Sequence, residues 1–270
     1  MGSSITFLGT GSQAYVVGKQ IRSSGGIIIK SDDNMLLIDP GPSTLMMAKM
    51  CGINLRELTA VLVSHNHIGH CNDVNAVISA MTYNGFDRQG VLITNSSVMN
   101  GDEKTKPYLT EFHRNCVEKA MVLSKEERIA VNDIEIIGLR TNHFDKQGIG
   151  FKIMTPYFTL SYSSDTSYSA TIAEQYKNSD ILILNVVAPF GIRAEGNLNS
   201  DDAVNIISRA KPRLAIITHF NEKMLEADPL NEARKIQHET KIQTIAATDC
   251  LTINPETHSA KTRQKRLDLY

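Results

Sequence analysis

The stretch Leu58-Thr59-Ala60-Val61-Leu62-Val63-Ser64-His65-Asn66-His67-Ile68-Gly69-His70 decides the fold. Its apolar run from Leu58 to Val63 has the length and the branched side chains of a buried strand. That run leads straight into His65, His67 and His70, three imidazoles within six residues. Neutral imidazole is a zinc ligand, and a loop held by a rigid strand can aim several such side chains at one point. The pattern predicts a metal site. Gly69 occupies the position where a cluster of this shape is expected to carry a carboxylate.

Such a site needs ligands from elsewhere in the chain. His143 follows the run Ile134 to Leu139, Asp165 follows Thr159 to Tyr162, and His219 follows Ala215 to Thr218. Each of these, taken alone, reads as an ordinary turn or strand-end residue. With the histidine cluster they predict one site assembled from loops just past apolar strands.

Working outward, apolar runs of strand length recur at Ile5 to Leu8, Gly26 to Lys30, Met35 to Asp39, Val91 to Thr94, Ile149 to Met154, Tyr157 to Tyr162, Ile181 to Val186, Leu214 to Thr218 and Ile242 to Ala247. Helical patterns cover Pro42 to Met50, Asn72 to Tyr83, Ser167 to Tyr176, Ser200 to Ala210 and Glu222 to Thr240. Ser200-Asp201-Asp202 supplies an N-cap and first-turn acids to the fourth of these. Two early strands and the pair around Pro156 read as hairpin neighbours, whereas the later strands are separated by helices. That mixture predicts a two-sheet core with helices outside. No low-complexity linker interrupts it, so residues 1–257 are expected to form one domain and residues 258–270 a basic tail containing Lys261, Arg263, Lys265 and Arg266.

The 270 residues are 41% hydrophobic, enough for a substantial core. Lys plus Arg (28) nearly balance Asp plus Glu (29), so net charge gives no reason for non-specific adhesion to nucleic acid or anionic membrane. The chain shows neither a secretory leader pattern nor an apolar run of membrane-spanning length, and a cytoplasmic protein is expected. Cys51, Cys71, Cys116 and Cys250 are irregularly spaced, which predicts reduced thiols rather than a disulfide framework or a zinc site. Cys71 draws notice because it directly follows His70.

The order and spacing of these residues resemble the metallo-β-lactamase superfamily, whose hallmark is His-x-His-x-Asp-His after a strand, then a His, an Asp and a last His in later loops. Ile5-Thr6-Phe7-Leu8-Gly9-Thr10-Gly11-Ser12, Leu36-Leu37-Ile38-Asp39-Pro40-Gly41 and Thr248-Asp249 extend the match over about residues 4–254. The Phe-Leu-Gly-Thr-Gly opening and Thr218-His219-Phe220 resemble its phosphodiesterase and ribonuclease Z branch in particular. The resemblance implies an α/β protein, a four-layer αββα sandwich. It implies His65, His67 and His143 on one zinc, His70 and His219 on a second, and Asp165 bridging them, with manganese as an alternative metal. A water activated by the metals would be the nucleophile.

Two positions depart from that pattern. Gly69 replaces the aspartate, so two dications would share one carboxylate and the second site is expected to be weakly occupied. Asp73, at a predicted helix start, is a candidate substitute ligand. Asn197 stands in a loop where many relatives in the phosphodiesterase branch have a histidine; an amide can donate a hydrogen bond to phosphate but is no acid at neutral pH. The candidate catalytic residues are therefore Asp165, His219, Asn197 and Asp73. Lys19, Arg22 and Arg193 are candidate phosphate contacts. No long Gly/Pro-rich insertion is present, so nucleotides, other small phosphodiesters or short nucleic acids are the expected substrates, and the resemblance is compatible with a homodimer. A non-catalytic metal- or nucleotide-binding module and an acyl or thioester hydrolase are the alternatives, since the same scaffold serves different chemistries.

Overall fold

The computed structural model describes residues 2–101 and 106–260, so the basic stretch Lys261 to Arg266 lies outside the described residues. Six strands come first: β1 (Ser4–Phe7), β2 (Ile27–Ser31), β3 (Asn34–Ile38), β4 (Ala60–Val63), β5 (Val91–Thr94) and β6 (Lys119–Val122). The second series is β7 (Arg128–Val131), β8 (Ile134–Arg140), β9 (Ile149–Met154), β10 (Thr159–Tyr162), β11 (Ile181–Ala188), β12 (Leu198–Asn199), β13 (Leu214–Thr218) and β14 (Thr244–Ala246), and β15 (Thr252–Ile253) is the last strand among the described residues. One sheet has the order β15-β1-β2-β3-β4-β5-β6 and the other β14-β13-β11-β10-β9-β8-β7, with β12 paired to β11.

Side chains alternate across a strand, and here both faces are covered, which is why the strands read as unbroken apolar runs. In the first sheet Ile27, Ile29, Leu36, Ile38, Ala60 and Leu62 point inward and meet Leu160, Tyr162, Ile181, Ile183, Leu214 and Ile216 of the second. The residues between them face outward. Ile28, Leu37, Val61, Val63 and Leu92 pack with Met47, Ala48, Val74, Val77, Ile78 and Met81 of the helices Thr44–Met50 and Val74–Thr82. Leu182, Leu184, Ala215 and Ile217 pack with Ala203, Ile206, Ile207, Ala233 and Ile236 of Ser200–Ala210 and Pro229–Thr240. The result is the αββα sandwich, with fully buried aliphatic side chains each contributing about 1.5–3 kcal/mol.

Strand direction fixes where the site lies. β3 and β4 run parallel, as do β10, β11 and β13, and β8 shares the direction of β10 because each is antiparallel to β9. The loops following β3, β4, β8, β10 and β13 therefore open at the carboxyl ends of parallel strands, the usual place for a site in such sheets.

Three expectations change. The helix expected over Glu222 to Thr240 is two helices, Glu222–Glu226 and Pro229–Thr240. Pro229 disfavours helical backbone at Asp228, whose φ of 64° breaks the chain before Pro229 opens the second helix. A helix at Gln13–Lys19 and the strands β6 and β7 were not foreseen. Cys51 and Cys250, expected as thiols, form a disulfide with Cα atoms 5.7 Å apart across 199 residues of sequence. Linear spacing cannot reveal a pair that is brought together only when β15 returns to β1. Cys71 and Cys116 are free and buried. No helix among the described residues is long and apolar enough to cross a membrane.

Candidate metal centre

His65 and His67 sit in the turn leaving β4, and His70 lies on the single helical turn Ile68–Cys71 that follows. His143 comes from the loop between β8 and β9, Asp165 from the loop after β10, and His219 from the residue after β13. Among the described residues they form two sets that can hold a cation: His65, His67, His143 and Asp165, and then His70, Asp165 and His219.

The first set converges through His67 Nδ1, which is 3.1 Å from His65 Nε2 and 3.2 Å from His143 Nε2. Nitrogens bound tetrahedrally to zinc at about 2.0–2.1 Å stand about 3.3 Å apart, so the spacing fits a metal. In the second set His70 Nε2 lies 3.2 Å from His219 Nε2, and His219 Nε2 lies 3.2 Å from Asp165 Oδ1. Asp165 Oδ2 looks back towards His70, His65 and His143 at 3.4, 3.8 and 3.9 Å. One carboxylate thus serves both sets.

The second ring nitrogen of each histidine determines which nitrogen is free to ligate. His143 Nδ1 is 2.6 Å from the Gly196 carbonyl, which only accepts, so Nδ1 carries the proton and Nε2 is left bare. His70 Nδ1 donates to Asp39 Oδ2 at 2.8 Å, which leaves Nε2 as the nitrogen directed at the ligand set. Ser64 spends its only hydroxyl proton on Asp39 Oδ2, so its oxygen accepts from His65 Nδ1 at 2.9 Å. Each Nε2 is aimed by a fixed acceptor behind it.

Asp39 anchors this arrangement. Its buried carboxylate accepts from Ser64 N, Ser64 Oγ, Tyr162 Oη and His70 Nδ1 at 2.7–2.8 Å. Asn185 Nδ2 donates to Asp165 Oδ1 at 2.7 Å and so holds the shared carboxylate. Three strand-end residues around the centre, Asp39, Ser164 and His219, have φ of 53°, 55° and 70°. Left-handed backbone at non-glycine residues costs about 1–3 kcal/mol each and persists where the surroundings over-determine it.

Electrostatics match this geometry. Burial, followed by the charge on His70, holds His65 well below its usual range, and burial with His143 lowers His67. Burial opposes charge on His70 as well, but the carboxylates of Asp165 and Asp39 outweigh it and raise the ring to about 10. For Asp165 burial favours the neutral form, yet His219 and His70 hold it well below the ordinary carboxylate range.

Asp73 is corrected. Its carboxylate accepts from Thr44 N at 2.9 Å and Asn72 Nδ2 at 2.8 Å, and its own N–H bonds Pro40 O. It braces the loop after β3 and belongs to neither metal set. Cys71 donates to His67 O, and burial pushes its thiol up, so it adds nothing to the ligand sets. Gly69 has no atom within 4 Å of a built Cβ and lacks positive φ, so the position has room for an aspartate that the chain does not supply.

Above the metal sets lies a cleft of about 300 Å³ lined by Ala14, Val17, Ile68, Phe144 and Asn197 together with the ligand side chains. Asn197 also lines an adjoining polar pocket of about 580 Å³ with Arg193, Tyr168 and Asn199. Lys19 instead donates to Tyr15 Oη, and Arg22 packs beside Gly11. Sequence reasoning missed Ser64, Tyr162, Ser164, Asn185 and Gly196 as supports. Only the polar end of β3 at Asp39 carried a signal.

Residues 34–220 match the profile of a beta-lactamase superfamily domain. An uncharacterized protein of Methanocaldococcus jannaschii is 30% identical over 245 residues, covering 90% of this chain and 91% of its own. A ribonuclease Z of Salinispora arenicola is 23% identical, covering 81% and 86%. Among solved structures, the metallo-beta-lactamase fold protein YhfI of Bacillus subtilis superposes with a TM-score of 0.76 at 18% identity, covering 94% and 99%.

Proposed function

From the premise that this chain belongs to the metallo-β-lactamase superfamily of metal-dependent hydrolases, we propose that it is a phosphodiesterase acting on nucleotides or short nucleic acids. The observation that carries the reading is the convergence of His65 Nε2, His67 Nδ1 and His143 Nε2 at 3.1–3.2 Å, beside a carboxylate shared with His70 and His219. The nitrogen-rich donor set suits zinc and accepts manganese. His65, His67, His143 and Asp165 would hold one cation, and His70, Asp165 and His219 a weaker second. When bound, the cations supply an acidified water and positive charge for the developing oxyanion.

The chain's own residues do the rest. Ser64 and the Gly196 carbonyl hold the ring protons of His65 and His143 on Nδ1, Asp39 holds one proton of His70 on Nδ1 so that the proton a cation displaces is the one on Nε2, and Asn185 orients Asp165. Apolar Val17, Ile68 and Phe144 line one wall of the cleft, and Asn197, whose Nδ2 donates to Glu195 O at 3.0 Å, keeps its second N–H for a phosphate oxygen. Asn197 provides no acid, so leaving groups that need little protonation are the favoured substrates. A ribonuclease Z among the relatives supports phosphodiester chemistry. On this reading residues 1–257 are the metal-binding domain and the substrate is a small phosphodiester.

Protein grown with added zinc or manganese is assayed for metal content and against a panel of phosphodiester, lactam and thioester substrates. Metal near one equivalent, and phosphodiester turnover lost in His67→Ala, are expected. Absence of metal refutes the reading. Nucleotide binding without turnover dependent on His67 favours a sensor, and preference for thioester favours an acyl hydrolase.

A further inference from the structure

Behind the second ligand set lies a small chamber of about 20 Å³, lined by Gly9, Gly11, Ser24, Asp39, Asn185 and Thr218 among others. Such a volume accommodates about one water. Two side-chain atoms of its lining, Asn185 Oδ1 and Ser24 Oγ, are buried with no hydrogen-bond partner. The residues are 1% and 5% exposed, and a buried polar atom left unpaired costs about 1–3 kcal/mol. The orientation of the Asn185 amide is not open to exchange. Its Nδ2 must face the Asp165 carboxylate, which can only accept, so Oδ1 is the atom left over.

Gly69, His70 and His219 line both this chamber and the 300 Å³ cleft, so they form the wall between the two. At position 69 that wall has no side chain, and a Cβ built there meets nothing within 4 Å. The orphaned polar atoms and the open wall are separate observations that point to the same occupant.

We propose that the chamber is a water site which makes up for Gly69: a water held by Asn185 Oδ1 and Ser24 Oγ supplies, beside His70 and His219, the oxygen that no side chain at position 69 provides. A neutral water replaces a charged ligand, so the second cation keeps its coordination number but loses affinity and carries more net positive charge. Ser24 and Asn185 are then positioning residues for that water. The inference rests on the metal-centre reading and goes beyond it in naming what occupies the place of the missing carboxylate.

The test loads the intact protein with manganese(II) alone and counts water ligands by pulsed electron paramagnetic resonance in deuterated solvent, with affinities from a parallel titration. Wild type is expected to show one more water ligand at the second cation than Gly69→Asp, and Gly69→Asp to bind that cation at least tenfold more tightly. Ser24→Ala, a change at a residue that belongs to neither ligand set, is expected to weaken second-site binding several-fold and leave the first unchanged. Equal water counts together with equal second-site affinities in wild type and Gly69→Asp overturn the inference while leaving the metal centre standing. Failure of wild type to bind manganese at either set overturns the metal-centre reading itself. Neither readout depends on turnover.

Discussion

Replacing Asp39 by asparagine tests whether the loop after β3 governs the second cation set. The Asp39 carboxylate receives four hydrogen bonds, and Oδ2 alone takes three, from Ser64 Oγ, Tyr162 Oη and His70 Nδ1. Asparagine keeps the shape but offers one oxygen and a doubly donating nitrogen. If the nitrogen takes the Oδ2 place, the two hydroxyls can rotate away, but the neutral, metal-binding form of His70 must carry its one proton on Nε2 instead of Nδ1 and so lose its ligating lone pair. If it takes the Oδ1 place, it confronts the Ser64 N–H, 2.7 Å from Oδ1 in the native protein. Hydrogen bonds to charged groups are worth about 1.5–3 kcal/mol, and one buried clash is unavoidable, so we expect the metal-free protein to lose about 2–4 kcal/mol. Loss of the partner behind a ligating histidine typically costs 10–100-fold in metal affinity, about 1.4–2.7 kcal/mol. Stepwise calorimetric titration with zinc should show the second step weakened in that range and the first step changed less, with urea unfolding reporting the stability loss. An unaltered second step beside a clear stability loss would refute the tautomer argument and reduce Asp39 to a structural residue.

Other consequences can be measured separately. Because His70 in the metal-free protein is raised from 6.5 to about 10, the stability it contributes should be fully present below about pH 6.5 and fade as pH rises through about 10; denaturant midpoints at pH 6, 8 and 10 check this, and a flat profile contradicts it. A cation must displace that proton, so second-site affinity should tighten about tenfold per pH unit between pH 7 and 9, with one proton released in calorimetry across buffers. Gly196→Ala places a methyl at φ 70° and within 2.7 Å of the Phe144 ring; we expect a loss of about 1–3 kcal/mol and weaker first-site binding through the displaced acceptor of His143, and wild-type metal affinity would contradict the role given to Gly196 O. Cys51→Ala removes a crosslink spanning 199 residues and should cost about 2–5 kcal/mol in thermal or urea unfolding, an effect matched by reductant on wild type; no difference would show that the crosslink does not form in solution.

What the sequence made legible follows from how local each signal was. Buried strands such as β4 and β11 announce themselves because both faces are apolar, and the three histidines after β4 lie within one turn of chain. β6 and β7 escaped notice because they begin at Lys119 and Arg128 and keep exposed positions, which blurs the apolar pattern. The supports of the site were hidden for a different reason. Asp39 reaches Ser64 only because β3 and β4 pair in parallel, Gly196 contributes a backbone oxygen that no residue type encodes, and Asn185 meets Asp165 through the pairing of β10 with β11. The short distance of Asp73 along the chain from His70 concealed that its carboxylate accepts from Thr44 N. The separation of Cys51 from Cys250 hid their pairing in the same way.

The sharing of Asp165 between the two ligand sets has a thermodynamic corollary. A cation in either set draws on the same carboxylate, so occupancy of one lowers the affinity of the other, and by linkage the penalty is identical whichever set fills first. We therefore expect anticooperative loading: a zinc titration broader than two independent sites would give, with singly loaded molecules dominating over a wide range of free metal. A Hill coefficient at or above one would exclude it. In such a molecule the ambient metal level sets how many copies hold a second cation, so one carboxylate turns metal supply into a graded control on the population of fully assembled centres.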